Sequence, residues 1–214
     1  MSKLVVLSAF VGGILVGALG WLMWPDRTAK RSAAELMDVV MWSKEPIGGS
    51  FALFDHDGRP RTDADFRGKL LLIYFGFTYC SDACPIELQS IATALDRLGP
   101  TGEAVQPLFI TVDPEKDTPE LLKAYVGLFH PRLIGLTGDP RQVQKVASAY
   151  KVYSARTEPS NKANPNIDHS GFIFLIDAGG KYLGFFPPGT SAELMIDVIR
   201  PQLALLAHRQ AQLP

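Results

Sequence analysis

The run from Lys69 to Phe77, KLLLIYFGF, constrains the fold more than any other part of the chain. It is continuously apolar and rich in β-formers, with no in-out alternation, the pattern of a strand buried on both faces. Such a strand belongs at the centre of a parallel sheet with helices covering both sides. The residues that follow provide them. Pro85 suits the first turn of a helix, Ile86, Ile91, Leu95 and Leu98 give a helical stripe, and Gly99-Pro100 ends it. Val105 to Val112 reads as a second apolar strand, and Thr118-Pro119-Glu120 opens a helix reaching about Leu128. Leu133 to Leu136 is a third extended piece, and Asp139-Pro140 caps a helix to Tyr150.

Polar Ser154 to Asp168, broken by Pro159, Asn161, Asn164 and Pro165, reads as a long loop. Phe172 to Asp177 and Lys181 to Phe186 flank Ala178-Gly179-Gly180 as a hairpin, after which Ser191 starts a closing helix. Ahead of the central strand, Phe51 to Asp55 runs into a turn at Asp57-Gly58 and forms a hairpin with the next extended piece. A β-α-β segment followed by β-β-α, with this hairpin in front, is an α/β, thioredoxin-like arrangement with an N-terminal hairpin extension. One such domain, residues 47–214, accounts for most of a 214-residue chain that is 47% hydrophobic.

Ahead of that domain, Leu4 to Trp24 carries no charge and matches the about 20 residues that cross a bilayer as a helix. Trp21 and Trp24 stand at one end, where amphipathic rings favour the headgroup level, and Pro25 stops the helix. Residues 1–26 are therefore expected to be a single-span anchor. A cleaved signal sequence is the alternative, with Ala18 and Gly20 placed for cleavage before Trp21. Residues 27–46 read as a linker with some helix around Ala33 to Val40. Arg27, Lys30 and Arg31 outweigh Lys3 across the span, so the positive-inside rule alone puts the domain in the cytoplasm. No Arg-rich mitochondrial presequence is present. The formal net charge of −1 supplies no positive field for phosphates, so nucleic acid is not an expected partner.

The chemistry is concentrated in YFGFTYCSDACP. Cys80 and Cys84 are the only two cysteines, and their spacing of four rules out a disulfide framework joining distant loops. Where a strand gives way to a helix, backbone N–H groups and the helix dipole favour thiolate. Thiolate binds soft metals and attacks disulfides, so ligation and redox exchange both remain open. A dithiol oxidoreductase usually has two residues between its cysteines; here Ser81, Asp82 and Ala83 intervene, which moves weight toward a metal. Two thiolates suit Cu(I), and an added imidazole admits Cu(II) or zinc. His169, in IDHSGF at the mouth of the second hairpin, is the candidate imidazole, because in this topology that loop comes beside the active-site helix. His56, His130 and His208 are expected to face solvent.

IGGSFALFDHDGRP, YFGFTYCSDACP, TVDPEKDTPE and DHSGFIFLID resemble, in order, the motifs of the SCO/SenC copper proteins, which assist assembly of the dinuclear copper centre of cytochrome c oxidase. The resemblance runs from about Pro46 to the C-terminal helix and is most specific in C-x-x-x-C-P coupled to D-H-S. It implies Cys80, Cys84 and His169 as ligands of one copper ion, Cu(I) or Cu(II), and places Asp113 near the metal without making it a ligand. It further implies a copper-bearing oxidase subunit and an upstream copper donor or thiol reductant as partners. The soluble domain is expected on the periplasmic face of a bacterial inner membrane, which reverses the charge-based orientation. The competing implication is a thiol-disulfide oxidoreductase that uses Cys80 and Cys84 to reduce the cysteines of the oxidase copper site. Tyr79 stands where the family often has histidine, and Asn164-Pro165-Asn166 replaces an aromatic approach to D-H-S.

Overall fold

A computed structural model of the chain describes residues 46–156 and 167–212. The expected anchor and nearly all of the linker lie outside the described residues. Among the described residues, no helix is long and apolar enough to cross a membrane.

In chain order the elements are β1 (Ala52–Asp55), β2 (Pro60–Thr62), β3 (Leu70–Gly76), α1 (Ala83–Leu98), β4 (Val105–Thr111), α2 (Pro119–Val126) and β5 (Ile134–Thr137). There follow α3 (Pro140–Ala149), β6 (Ser154–Arg156), β7 (Ile167–His169), β8 (Ile173–Ile176), β9 (Tyr182–Phe186) and α4 (Ala192–Ala211). Seven strands form one mixed sheet in the order β2-β1-β5-β4-β3-β8-β9. β3 is central and buried along its whole length, as the unbroken apolar run requires. It pairs in parallel with β4, from Leu70 opposite Val105 to Gly76 opposite Thr111, and antiparallel with β8.

The period of two sends the side chains of β3 to two different layers. Leu70, Leu72 and Tyr74 join the core made with Leu88, Ile91 and Leu95 of α1 and Met195, Ile196 and Ile199 of α4. On the opposite face Phe75 meets Tyr150 and Phe174, with ring centroids 5.5 and 5.9 Å away. Caps fix the helix starts: the Thr118 hydroxyl accepts from Leu121 N–H, Asp139 forms a capping box with Gln142, and the Ser191 hydroxyl accepts from Leu194 N–H.

Three local expectations need correction. α1 begins at Ala83, two residues before Pro85, so Cys84 is itself helical. Its buried stripe runs Cys84, Leu88, Ile91, Leu95, Leu98, and Ile86, about half a turn off that line, is 56% exposed. The segment read as one loop from Ser154 to Asp168 contains β6 and β7, which pair antiparallel as a separate two-stranded ribbon with Ser154 opposite His169. Three-residue polar strands show no periodicity, because their pairing comes from backbone groups far apart in sequence. The residues between them, 157–166, are outside the described set.

Gly76 ends β3 where the sheet meets the cysteine loop. A Cβ at this position would lie 2.8 Å from both Cys84 Sγ and a ring carbon of Phe109. The Gly76→Ala variant is expected to lose about 1–3 kcal/mol through overpacking, read as a lowered urea midpoint with an unchanged m-value. Wild-type stability in that variant would mean the Cys84 side chain is free to move aside.

Candidate metal centre

Beyond Gly76 the chain turns sharply, with Cys80 N–H donating to Phe77 O at 3.2 Å, and enters α1. The turn leaves the Cys80 side chain half-buried, while Cys84, the second residue of α1, is fully buried against Tyr74 and Phe109. The Cys84 backbone N–H, one of the unpaired donors at the helix start, points at Cys80 Sγ 3.5 Å away. The ribbon brings the third group. His169 ends β7, and its Nδ1 lies 3.2 Å from Ser170 O. A carbonyl oxygen only accepts, so that nitrogen carries the hydrogen and Nε2 offers its lone pair to the site. Nε2 lies 3.5 Å from Cys84 Sγ. The imidazole stands edge-on to Tyr74 and Phe77, at centroid distances of 6.2 and 5.7 Å. The two sulfurs and one ring nitrogen all fall within 4.8 Å of one another. Two soft donors and one borderline donor around a small space fit a soft metal ion.

The two thiols divide their charge unequally. The Cys84 side chain beside it draws the Cys80 thiol down to about 3; burial opposes the shift, and the His169 ring and the Cys84 and Asp82 backbone groups support it. Cys84 is driven upward, first by its hydrogen bond with Cys80, then by burial and by the Cys80 charge. Without metal the pair is a Cys80 thiolate beside a Cys84 thiol. The negative side chain of Asp82 does not outweigh these contacts.

A buried acid that sequence reasoning missed supports the cysteine loop. Asp117 is fully buried, and its carboxylate accepts from Thr78 N–H at 3.1 Å, from the Thr78 hydroxyl at 2.6 Å and from the Thr111 hydroxyl at 2.6 Å. Burial raises its carboxyl above the ordinary range, and the three donors oppose that rise. The only sequence signal was an acid embedded in TVDPEKDTPE, which by composition reads as a solvated turn. Asp113 is also buried and is held at 2.9 Å by Arg156 of β6, which bonds Glu115 as well. Its role is thus to fasten the histidine ribbon. Glu87, one turn into α1, accepts from Gly189 N–H at 2.6 Å, and Pro188 beside it lies against Gly171, two residues from His169.

Of the remaining histidines, only His208 is exposed as expected. His130 is buried: its Nδ1 accepts from Arg132 N–H at 3.1 Å, and burial and Arg132 lower its basicity. His56 is partly buried and accepts from Gly135 N–H at 3.0 Å. Both serve as backbone acceptors, a role invisible in sequence because their partners come from other elements.

Residues 40–204 match the family described as SCO1/SenC. The human mitochondrial protein named SCO2 homolog is 42% identical over 197 residues, covering 91% of this chain and 74% of that protein. An SCO2-like protein of Rickettsia prowazekii is 38% identical over 201 residues, covering 94% and 96%. Among solved structures, Arabidopsis thaliana ScoI with copper bound superposes with a TM-score of 0.70 at 38% identity, covering 74% of this chain and 99% of that one. Yeast Sco1 with copper bound gives 0.69 at 35% identity, covering 79% and 96%. With its mixed α/β sheet and its clustered Cys80, Cys84 and His169, the chain belongs to the SCO1/SenC family.

Proposed function

We propose that this chain holds one copper ion through Cys80 Sγ, Cys84 Sγ and His169 Nε2 and delivers it to the dinuclear copper site of a cytochrome c oxidase during assembly. One observation carries the reading: two sulfurs and one oriented imidazole nitrogen lie within 4.8 Å of one another with no other ligating side chain in the group. Relatives of the same fold from a plant and from yeast hold copper. Three ligands leave a side open to an incoming thiolate, so the ion passes by ligand exchange without leaving coordination. Cys80 is the half-buried ligand, and Tyr79, next to it in the chain, and Ile86, in the first turn of α1, are 51% and 56% exposed and offer apolar surface to the oxidase subunit. Residues 1–26 serve as the single-span anchor, with the domain on the periplasmic face of a bacterial inner membrane, where the copper-bearing subunit and a copper donor or thiol reductant meet it.

The unequal acidity of the thiols favours a second reading, reduction of the oxidase copper-site cysteines before loading. The Cys80 thiolate attacks the partner disulfide and releases one partner thiolate. Cys84, losing its proton, then attacks the mixed disulfide, so the chain ends oxidised and the partner fully reduced.

Anaerobic copper titration of the reduced full chain tests the first reading. One tight equivalent is expected in the wild type, lost in both Cys80→Ser and His169→Ala. Wild-type affinity in His169→Ala would remove the imidazole from the ligand set. For the thiols, iodoacetamide is expected to modify Cys80 alone, at a rate constant across neutral pH. An ordinary thiol instead gains rate as pH approaches its pKa of about 8.5. A rate that climbs through that range would contradict the thiolate assignment.

A further inference from the structure

The metal centre is built on two arms, α1 with Cys84 and the segment ending in His169, and one turn of chain touches both. Pro187 to Thr190 is closed by Thr190, whose N–H and hydroxyl donate to Pro187 O at 3.2 and 2.6 Å. Toward α1, Gly189 N–H donates to Glu87 Oε1 at 2.6 Å. Glu87 lies three positions after Cys84, on nearly the same face of the helix. Toward the histidine, the Pro188 ring packs on Gly171 so closely that a Cβ at Gly171 would lie 3.1 Å from Pro188 Cγ. Gly171 is two residues beyond His169.

Glu87 is a costly residue for this place. It is 3% exposed, and its second carboxyl oxygen is buried with no hydrogen-bond partner among the described residues. Burying a half-satisfied carboxyl costs more than filling the same space with leucine, so packing alone does not account for it. Its one bond spans 102 positions and ends on a glycine at φ +78°, in the left-handed region where other residues are strained. Gly189 is itself exposed, so water can satisfy its N–H. What the bond adds is position.

We infer that the turn from Pro187 to Thr190 is a latch, keyed by Glu87, that holds the His169 arm against the helix carrying Cys84 and sets how fast the site opens to release its ion. The inference rests on the copper-binding reading of the site. With the latch engaged, the 3.5 Å approach of His169 Nε2 to Cys84 Sγ is held from the C-terminal side of the histidine, as Arg156 on Asp113 holds it from the N-terminal side. Glu87 is outside the group of ligating atoms and acts through the turn as a positioning residue.

The test follows copper release from the loaded full chain to a competing chelator, together with amide hydrogen exchange of the metal-free protein. Glu87→Leu removes the acceptor, Glu87→Gln keeps it, and Gly189→Ala strains the turn at its positive φ without a clash, since a Cβ there has open space. Ile196→Ala, a truncation in the core under α4, is the control for general destabilisation. Glu87→Leu and Gly189→Ala are expected to keep one equivalent of copper and to release it about tenfold faster, the scale of one buried hydrogen bond. The amides from Ile167 to Gly171 should exchange faster by a similar factor while those of β3 do not change. Glu87→Gln should match wild type in both readouts. Unchanged release and unchanged exchange in Glu87→Leu overturn the inference and leave the three-ligand site standing. Release from Glu87→Gln as fast as from Glu87→Leu overturns it too, since the acceptor is retained. Equal acceleration in Ile196→Ala does the same, because it reports lost stability and not a latch. If Glu87→Leu does not fold, Gly189→Ala decides by the same two readouts. A wild type that takes up no copper overturns the copper reading and the release role with it, a failure told apart by the exchange data, which are read without metal.

Discussion

The parallel ladder between β3 and β4 sets the position of everything that follows. Its last pair is Gly76 opposite Thr111, and the Val112 N–H still reaches Gly76 O at 2.8 Å. Beyond that point the strands part, and a cleft at the ends of parallel strands is where such folds bind ligands. Here Asp117 closes the floor of the cleft by accepting from Thr78 on one strand end and Thr111 on the other. A buried carboxylate is costly unless its oxygens are satisfied. Three donors from two separate segments satisfy this one, and so tie the segment leading to Cys80 to the sheet. Gly76 adds the second condition, since only a residue without a side chain lets Cys84 Sγ approach Phe109.

The imidazole is held by different means. β6 and β7 form three residue pairs apart from the main sheet. They are continued by Tyr153 and Ser170, which exchange two hydrogen bonds at 3.0 and 3.1 Å, and are fastened by Arg156 on Asp113. Arg156 is 54% exposed while its partner Asp113 is 2% exposed, so the pair is open to water at its Arg156 end. The sulfurs therefore stand just past the end of a fully buried ladder, Cys80 in the turn and Cys84 in α1, and the nitrogen on a three-pair ribbon outside the main sheet. Local opening follows this difference in burial, so the histidine arm is the part of the site that separates at lowest cost.

How far the sequence discloses such an arrangement depends on how local each cause is. The strand at Lys69 to Phe77, the helix caps at Thr118, Asp139 and Ser191, and the hairpin around Gly179-Gly180 were legible because propensity, capping and turn chemistry act over a few residues. The sulfur pair was legible for the same reason. His169 was legible only through topology and the coupled D-H-S motif, since its neighbours come from 85 positions away. Asp117, Arg156 and the β6–β7 pairing were not. Each gets its meaning from a partner on another element, and as residues in polar stretches they look like solvated loop. Ile86 shows the reverse error. Its apolar side chain suggested the core face, but α1 starts at Ala83 and takes its phase from Cys84, so Ile86 points outward.

The charge of the loaded site joins these features into one argument. In the proposed three-ligand site, two thiolates and an uncharged imidazole ligand sum with Cu(I) to a charge of −1 and with Cu(II) to zero. Burial penalises the charged form, so the apolar wall of Tyr74, Phe77 and Phe109 by itself favours Cu(II). Soft sulfur ligation pulls toward Cu(I). The nearby acids cannot offset a negative charge, and both are already engaged, Asp113 by Arg156 and Asp117 by its three hydroxyl and amide donors. The balance then falls to hydrogen-bond donors aimed at the sulfurs, and the Cys84 amide, directed at Cys80 Sγ from 3.5 Å, is such a donor. Donors of this kind stabilise the more negative state, so the helix start that presents Cys84 also supplies a group that offsets the apolar wall in favour of Cu(I).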